Sequence, residues 1–145
     1  MILVGASTLS IPYAISRNKP KPKIEPTTEA ATIYVTENLG EFKLTAYCSC
    51  SKCCGKWAKN RPVDENGREI VKTASGARAV AGYTVAADPS FLPFGTIVYI
   101  DGKKYCVQDS GSAVKGKHLD IYFDNHAEAL KFGCQHKEVE RLIGC

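Results

Sequence analysis

Apolar and polar side chains alternate over Glu41-Phe42-Lys43-Leu44-Thr45-Ala46-Tyr47, which predicts a strand with one buried face. Gly82-Tyr83-Thr84-Val85-Ala86-Ala87 predicts a second strand ending at Asp88-Pro89, and Thr96-Ile97-Val98-Tyr99-Ile100 a third. Asp101-Gly102 has the composition of a two-residue hairpin turn, so Lys104-Tyr105-Cys106-Val107-Gln108 should return as a fourth strand ending at Asp109. A fifth is His118-Leu119-Asp120-Ile121-Tyr122-Phe123. Asn125 is placed to cap a short helix through Leu130 and Phe132, with Glu128 at its third position and Gly133 as its stop. Residues 136–143 read two ways. Val139, Leu142 and Ile143 have helical spacing, whereas a strand is needed there to close a small barrel. Residues 51–67 are polar, with Gly55, Pro62 and Asp64-Glu65-Asn66-Gly67, and predict a long excursion with one helical turn. Short strands separated by Gly and Pro turns, with one or two short helices, predict a mainly β fold built as a compact barrel.

The N-terminal part has a different pattern. Residues 1–16 carry no charged side chain and include Ile2, Leu3, Val4, Leu9, Ile11 and Ile15. A spanning helix needs about 20 apolar residues, and Pro12 interrupts this shorter run. It fits the apolar part of a secretory signal or an anchor, with Ala14-Ile15-Ser16 as a small-x-small cleavage pattern, although no basic residue precedes it. Burial in the domain is the alternative. Residues 17–38 are expected to be a flexible linker, because residues 17–29 hold three of the seven prolines and almost no apolar side chain. The barrel domain is expected over residues 39–145. An export signal followed by a spacer implies a secreted, wall-facing or membrane-associated protein that works outside the cytoplasm.

At 145 residues the chain has room for one domain and an appendage. Nineteen basic against 15 acidic side chains give a net charge of +4, and the basic cluster Arg17, Lys19, Lys21, Lys23 sits in the proline-rich segment. That distribution lacks the basic stripe interleaved with aromatics of a nucleic-acid binder, so no nucleic-acid partner is expected. Seven cysteines are more informative. Cys48, Cys50, Cys53 and Cys54 fall within seven residues, and Cys106, Cys134 and Cys145 follow far downstream. Disulfides are the default in an exported protein, although an odd number leaves one thiol over. Zinc is the rival, since Cys50-x-x-Cys53 has knuckle spacing, but the second Cys-x-x-Cys of a ribbon is missing. Reduced, buried thiols are the third reading. His118, His126 and His136 lack His-x-x-x-His spacing, so no metal site and no cofactor are expected.

Three aspartates stand out. Asp88 and Asp109 each end an apolar strand, and Asp120 lies inside one between Leu119 and Ile121. Taken singly, the first two are ordinary turn formers and the third would face solvent. Together they can converge on one mouth of a small barrel. At these positions a resemblance emerges. Leu44-Thr45-Ala46-Tyr47, Thr73-Ala74-Ser75-Gly76, Val85-Ala86-Ala87-Asp88-Pro89, Leu92-Pro93-Phe94-Gly95-Thr96, Gln108-Asp109-Ser110-Gly111, Ala113-Val114-Lys115-Gly116 and Leu119-Asp120-Ile121-Tyr122-Phe123 resemble the three-aspartate (3D) domain family of bacterial wall enzymes. Ser110 replaces the family's usual threonine, Ser112 stands where glycine is common, and the cysteine cluster stands where many members have small polar residues.

The resemblance implies a six-stranded double-psi β-barrel that cleaves peptidoglycan glycan strands between N-acetylmuramic acid and N-acetylglucosamine. It places the family's aspartates on Asp88, Asp109 and Asp120, and makes Asp120 the catalytic acid/base. Tyr47, Thr73, Ser75, Gly76, Ser110 and Gly111 are then expected on the substrate side, and Lys115 near a lactyl or peptide carboxylate. A lytic transglycosylase needs one carboxyl that protonates the glycosidic oxygen and then deprotonates the sugar's own 6-hydroxyl, leaving a 1,6-anhydro end. Such a carboxyl must hold its proton near working pH, which burial and a neighbouring like charge both promote. A monomer is expected. The alternative on the same fold is an expansin-like barrel that binds wall polysaccharide without cutting it.

Overall fold

The structure, a computed structural model, describes residues 34–144. The apolar segment expected over residues 1–16 and most of the expected linker lie outside the described residues. Six strands occur in the order β1 (Val35–Cys48), β2 (Thr84–Ala86), β3 (Ile97–Ile100), β4 (Lys103–Asp109), β5 (His118–Phe123) and β6 (Gln135–Gly144). Helix α1 (Ser51–Cys54) continues into a 3-10 turn at Gly55–Ala58, and α2 (His126–Phe132) lies between β5 and β6.

The strands close a barrel in the order β1-β5-β2-β4-β3-β6. β1 pairs with β5 and β2 with β4 in parallel; the other four neighbours are antiparallel. Two parallel pairs in a closed six-stranded barrel are the double-psi arrangement the resemblance implies. The alternating positions supply the core. Phe42 and Leu44 of β1, Val85 of β2, Val98 of β3, Val107 of β4, Leu119 and Ile121 of β5 and Val139 of β6 are all buried, so every strand contributes to one cluster. Full burial of a side chain of this size stabilises by ~1.5–3 kcal/mol, which is why the period-two pattern fixes which face points inward.

Local signals work as expected at two connections. Asp101 and Gly102 both have positive φ, 50° and 73°, the backbone of a type I′ turn whose twist matches the paired strands β3 and β4. Asn125 Oδ1 accepts the Glu128 N–H at 2.9 Å, and the Gly133 N–H donates to the Ala129 carbonyl, so α2 starts and stops where its sequence indicates. One expectation needs correction, and one open reading is resolved. β1 begins at Val35, inside the span assigned to the linker, because Val35, Thr36, Glu37 and Asn38 pair with the end of β6. The ambiguous tail is a strand, since Val139 must fill the barrel and its neighbours pair with both β1 and β3.

Candidate active site

Strand register brings the acidic residues together. Thr45 on β1 is opposite Asp120 on β5, Asp120 is opposite Ala86 on β2, and Ala86 is opposite Asp109 on β4. Residues directly opposite share a face, so Thr45, Asp120, Ala86 and Asp109 form one row across four strands. The row lies on the outside of the barrel, because Leu44, Val85 and Leu119 take the inward positions. Two strand spacings place the Asp120 and Asp109 backbones roughly 10 Å apart.

A bulge puts Asp109 in the row. The β2–β4 register passes from Val85↔Val107 to Ala86↔Asp109, so Gln108 is the extra residue. Its side chain is held aside, with Oε1 accepting the hydroxyl of fully buried Thr84 at 2.6 Å. Without the bulge Gln108 would oppose Ala86. Sequence alternation alone misses this, although Gln108-Asp109 at a strand end is a composition that permits it.

Asp109 is anchored by three donors. It accepts the Tyr47 hydroxyl at 2.6 Å, the Ala74 N–H at 2.9 Å and the Ser110 N–H at 2.9 Å. Burial, with Asp109 beside it, pushes the Tyr47 phenol far above its ordinary pKa, so it remains a donor at any working pH. The Tyr47 ring packs edge-on against Tyr122, with centroids 5.4 Å apart.

Asp120 is half-buried, and desolvation raises its pKa. The Asp109 charge adds to the rise; the Thr45 hydroxyl and His118 oppose it. The Thr45 hydroxyl lies 2.7 Å from Asp120 Oδ1 and 2.9 Å from His118 Nε2, and His118 Nδ1 is 3.3 Å from the Ala113 carbonyl. The Thr45 hydroxyl donates to Asp120 and stands between that carboxyl and the His118 ring. Thr45 and His118 are functional candidates that sequence reasoning passed over. The signal available was His118 standing two residues before Asp120, hence on the same strand face.

Asp88 does other work. Its Oδ1 accepts the Ser90 N–H at 3.1 Å and hydroxyl at 2.7 Å, and its Oδ2 accepts the Gly116 N–H at 3.1 Å. These bonds hold its carboxyl below the usual range. They tie the turn after β2 to the loop entering β5, which carries exposed Lys115. Within that loop a Cβ on Gly111 would lie 3.1 Å from Val114 Cγ2, a tight contact that Val114 would have to relieve by a small shift. Thr73 is buried, and its hydroxyl bonds the Ala77 carbonyl at 3.0 Å and lies 3.1 Å from exposed Ser75 Oγ. The Gly76 N–H is used within the same turn, donating to the Thr73 carbonyl at 2.9 Å. The Ser75 N–H bonds Gln108 O, which sets this turn beside the Asp109 strand. Ser110 is exposed next to Asp109. Two surface cavities, of 370 and 230 Å³, lie elsewhere on the barrel, and neither includes Asp88, Asp109 or Asp120.

Among the described residues the expected disulfide staple does not occur: Cys48, Cys50, Cys53, Cys54, Cys106 and Cys134 are unbridged. Instead, three of them meet His126, a grouping that the expectation of no metal site overlooked.

Residues 83–143 match the 3D domain family. The putative cell wall shaping protein YabE of Bacillus subtilis is 28% identical over 139 residues, covering 89% of this chain and 31% of that protein. The cell wall-binding protein YocH of Bacillus subtilis is 30% identical over 59 residues, covering 40% of this chain and 21% of that protein. The chain therefore spans less than a third of the length of either relative. Among solved structures, MltA from E. coli is 28% identical with a TM-score of 0.47, over 52% of this chain and 28% of that one. The lytic transglycosylase LtgG of Burkholderia pseudomallei is 22% identical with a TM-score of 0.44, over 59% and 27%. The residues matched by the 3D domain model, 83–143, carry Asp88, Asp109 and Asp120.

Proposed function

We propose that this barrel cleaves peptidoglycan glycan strands between N-acetylmuramic acid and N-acetylglucosamine, as a lytic transglycosylase working outside the cytoplasmic membrane. The observation that carries the reading is Asp120: a half-buried carboxyl with raised pKa, in one row with Asp109 and wired through Thr45 to His118. The family match and the wall-related names of both relatives support the substrate class.

Protonated Asp120 gives its proton to the glycosidic oxygen as the bond to the anomeric carbon breaks. The Asp120 carboxylate then takes the proton of the sugar's own 6-hydroxyl, whose oxygen closes on the anomeric carbon. One proton leaves Asp120 and one returns, and no water is consumed. A desolvated carboxyl suits the first half, and the hydrogen bond from Thr45 steadies the carboxylate in the second. Asp109, fixed by three donors, acts through its charge by raising the proton affinity of Asp120. Ser75 and Ser110, both exposed beside the Asp109 strand, are proposed to meet sugar hydroxyls, and Lys115 a lactyl or peptide carboxylate. Exposed Trp57, Phe91 and Phe94 offer faces for sugar rings.

A second reading, wall binding without cleavage, is favoured by the name of YocH. Mass spectrometry of murein digested by the purified chain separates the two. New 1,6-anhydro ends support cleavage, and retention on murein without such ends supports binding alone.

A further inference from the structure

We propose that Cys48, Cys50, Cys53 and His126 form a structural Zn²⁺ site that fixes the end of β1 to the start of α2. The ligand atoms, three Sγ and Nδ1, all lie within 4.8 Å of one another. The individual edges carry the argument. Cys48 Sγ to Cys53 Sγ is 3.6 Å, and Nδ1 of His126 is 3.7, 3.5 and 3.5 Å from the sulfurs of Cys48, Cys50 and Cys53. A tetrahedral zinc with its usual Zn–S and Zn–N bonds has S–S edges of about 3.8 Å and S–N edges of about 3.6 Å. The observed edges match to within about 0.2 Å, whereas a disulfide would need about 2.05 Å.

The local fold explains how His126 meets three cysteines more than 70 residues away in sequence. Cys50 precedes the single turn of α1, and the Cys53 and Cys54 N–H groups both donate to its carbonyl, which wraps Cys53 back over Cys50. Cys48 is the last residue of β1 and is opposite Phe123 on β5. Three residues later His126 opens α2, so the parallel β1–β5 pairing delivers the fourth ligand. Cys54, Cys106 and Cys134 stand outside the group. Cys54 Sγ donates instead to the Cys48 carbonyl at 3.1 Å.

Binding converts three thiols to thiolates and releases three protons to solvent, while His126 ligates through Nδ1 and keeps its proton on Nε2. Zn²⁺ with three thiolates and a neutral imidazole carries one negative charge. A buried cation stands nearby: the Arg61 side chain is 8% exposed and Nη1 donates to the Ser49 carbonyl at 2.6 Å, between two of the ligands in sequence. The site also has a mechanical consequence. Tyr47 precedes Cys48 directly and holds Asp109, so a metal at this point fixes the end of the strand from which the acidic row is organised.

The test uses the full chain, purified under reducing conditions. Elemental analysis should find about one zinc per chain. Loading the stripped protein with Co²⁺ should give the intense visible absorption of tetrahedral thiolate coordination. Cys50→Ser with Cys53→Ser, and separately His126→Ala, should lose the zinc, while Cys134→Ser should keep it. A chelator should lower Tm of the parent chain and leave the double serine variant unchanged. Protein without metal whose Cys48, Cys50 or Cys53 is found in a disulfide by mass spectrometry would overturn the proposal. So would iron in place of zinc, absence of the Co²⁺ absorption, or zinc retained by the double serine variant.

Discussion

The Tyr47–Asp109 hydrogen bond is the joint between the cysteine-bearing end of β1 and the acidic row, and its strength can be worked out. Tyr47→Phe removes one hydroxyl from a 2.6 Å bond and keeps the ring in its edge contact with Tyr122. Asp109 retains its two backbone donors, so the loss is one bond to a charged acceptor and not a stranded charge. Such bonds contribute ~1.5–3 kcal/mol, and both partners are only half-buried, which favours the low end. Unfolding entropy near 2.1 cal/mol/K per residue, taken over the ordered barrel, converts ~1.5 kcal/mol into a fall in Tm of roughly 6 °C. Thermal melts of Tyr47→Phe, Asp109→Asn and the double variant form a cycle that isolates the pair. The expected coupling is at least about 1 kcal/mol. Single effects that add to within about 0.3 kcal/mol would refute the reasoning, because they would show that the bond contributes nothing of its own.

Two substitutions should move the pH profile of glycan cleavage in opposite directions. Thr45→Val removes a bond that lowers the pKa of Asp120, so the alkaline limb should move to higher pH, with Thr45→Ser restoring it; Asp109→Asn removes a like charge and should move the limb to lower pH. Shifts of the same sign would contradict the assignment of Asp120 as the proton donor. Asp88 has a depressed pKa, so its contribution to stability is present above the ordinary aspartate range and is lost as pH falls through its lower folded value. Asp88→Asn should therefore lower Tm at pH 7 and flatten its dependence on acid, as calorimetry at several pH values would reveal. Deletion of residues 1–29 should leave Tm unchanged within about 2 °C, because the strand pairing starts at Val35; a larger fall would place part of the core in the deleted segment.

The sequence was legible wherever a few adjacent residues decide the outcome. The alternation around Leu44, the Asp101-Gly102 turn and the Asn125 cap are set by local chemistry and appear as expected. The tail was ambiguous because Val139, Leu142 and Ile143 satisfy both periods. Only the vacancy between β1 and β3 makes it a strand. The start of β1 was missed for a related reason: the polar residues before Leu39 look like linker until β6 provides their partner. At the site, the three aspartates were visible, but only Asp109 and Asp120 share a row, which depends on the bulge at Gln108 and the antiparallel pairing of β2 with β5, while Asp88 stays in the turn after β2. The parallel register of β1 with β5 joins Thr45 to His118, 73 residues away, and brings His126 to the cysteines. Testing the histidines only for i, i+4 spacing could not find a ligand set assembled from a knuckle and a distant helix start.

Asp120→Asn is the most direct test of the central claim. It preserves the shape, removes the titratable proton, and leaves Thr45 an oxygen to donate to. Purified parent chain and variant, matched in folded concentration by circular dichroism, should be incubated with murein and the products read by mass spectrometry. The account predicts 1,6-anhydro-muramyl ends from the parent chain, a fall of at least about 100-fold in their yield from Asp120→Asn, and undiminished murein binding by the variant. Near-parental yield from Asp120→Asn, or hydrolysed reducing ends in place of anhydro ends from the parent chain, would contradict it.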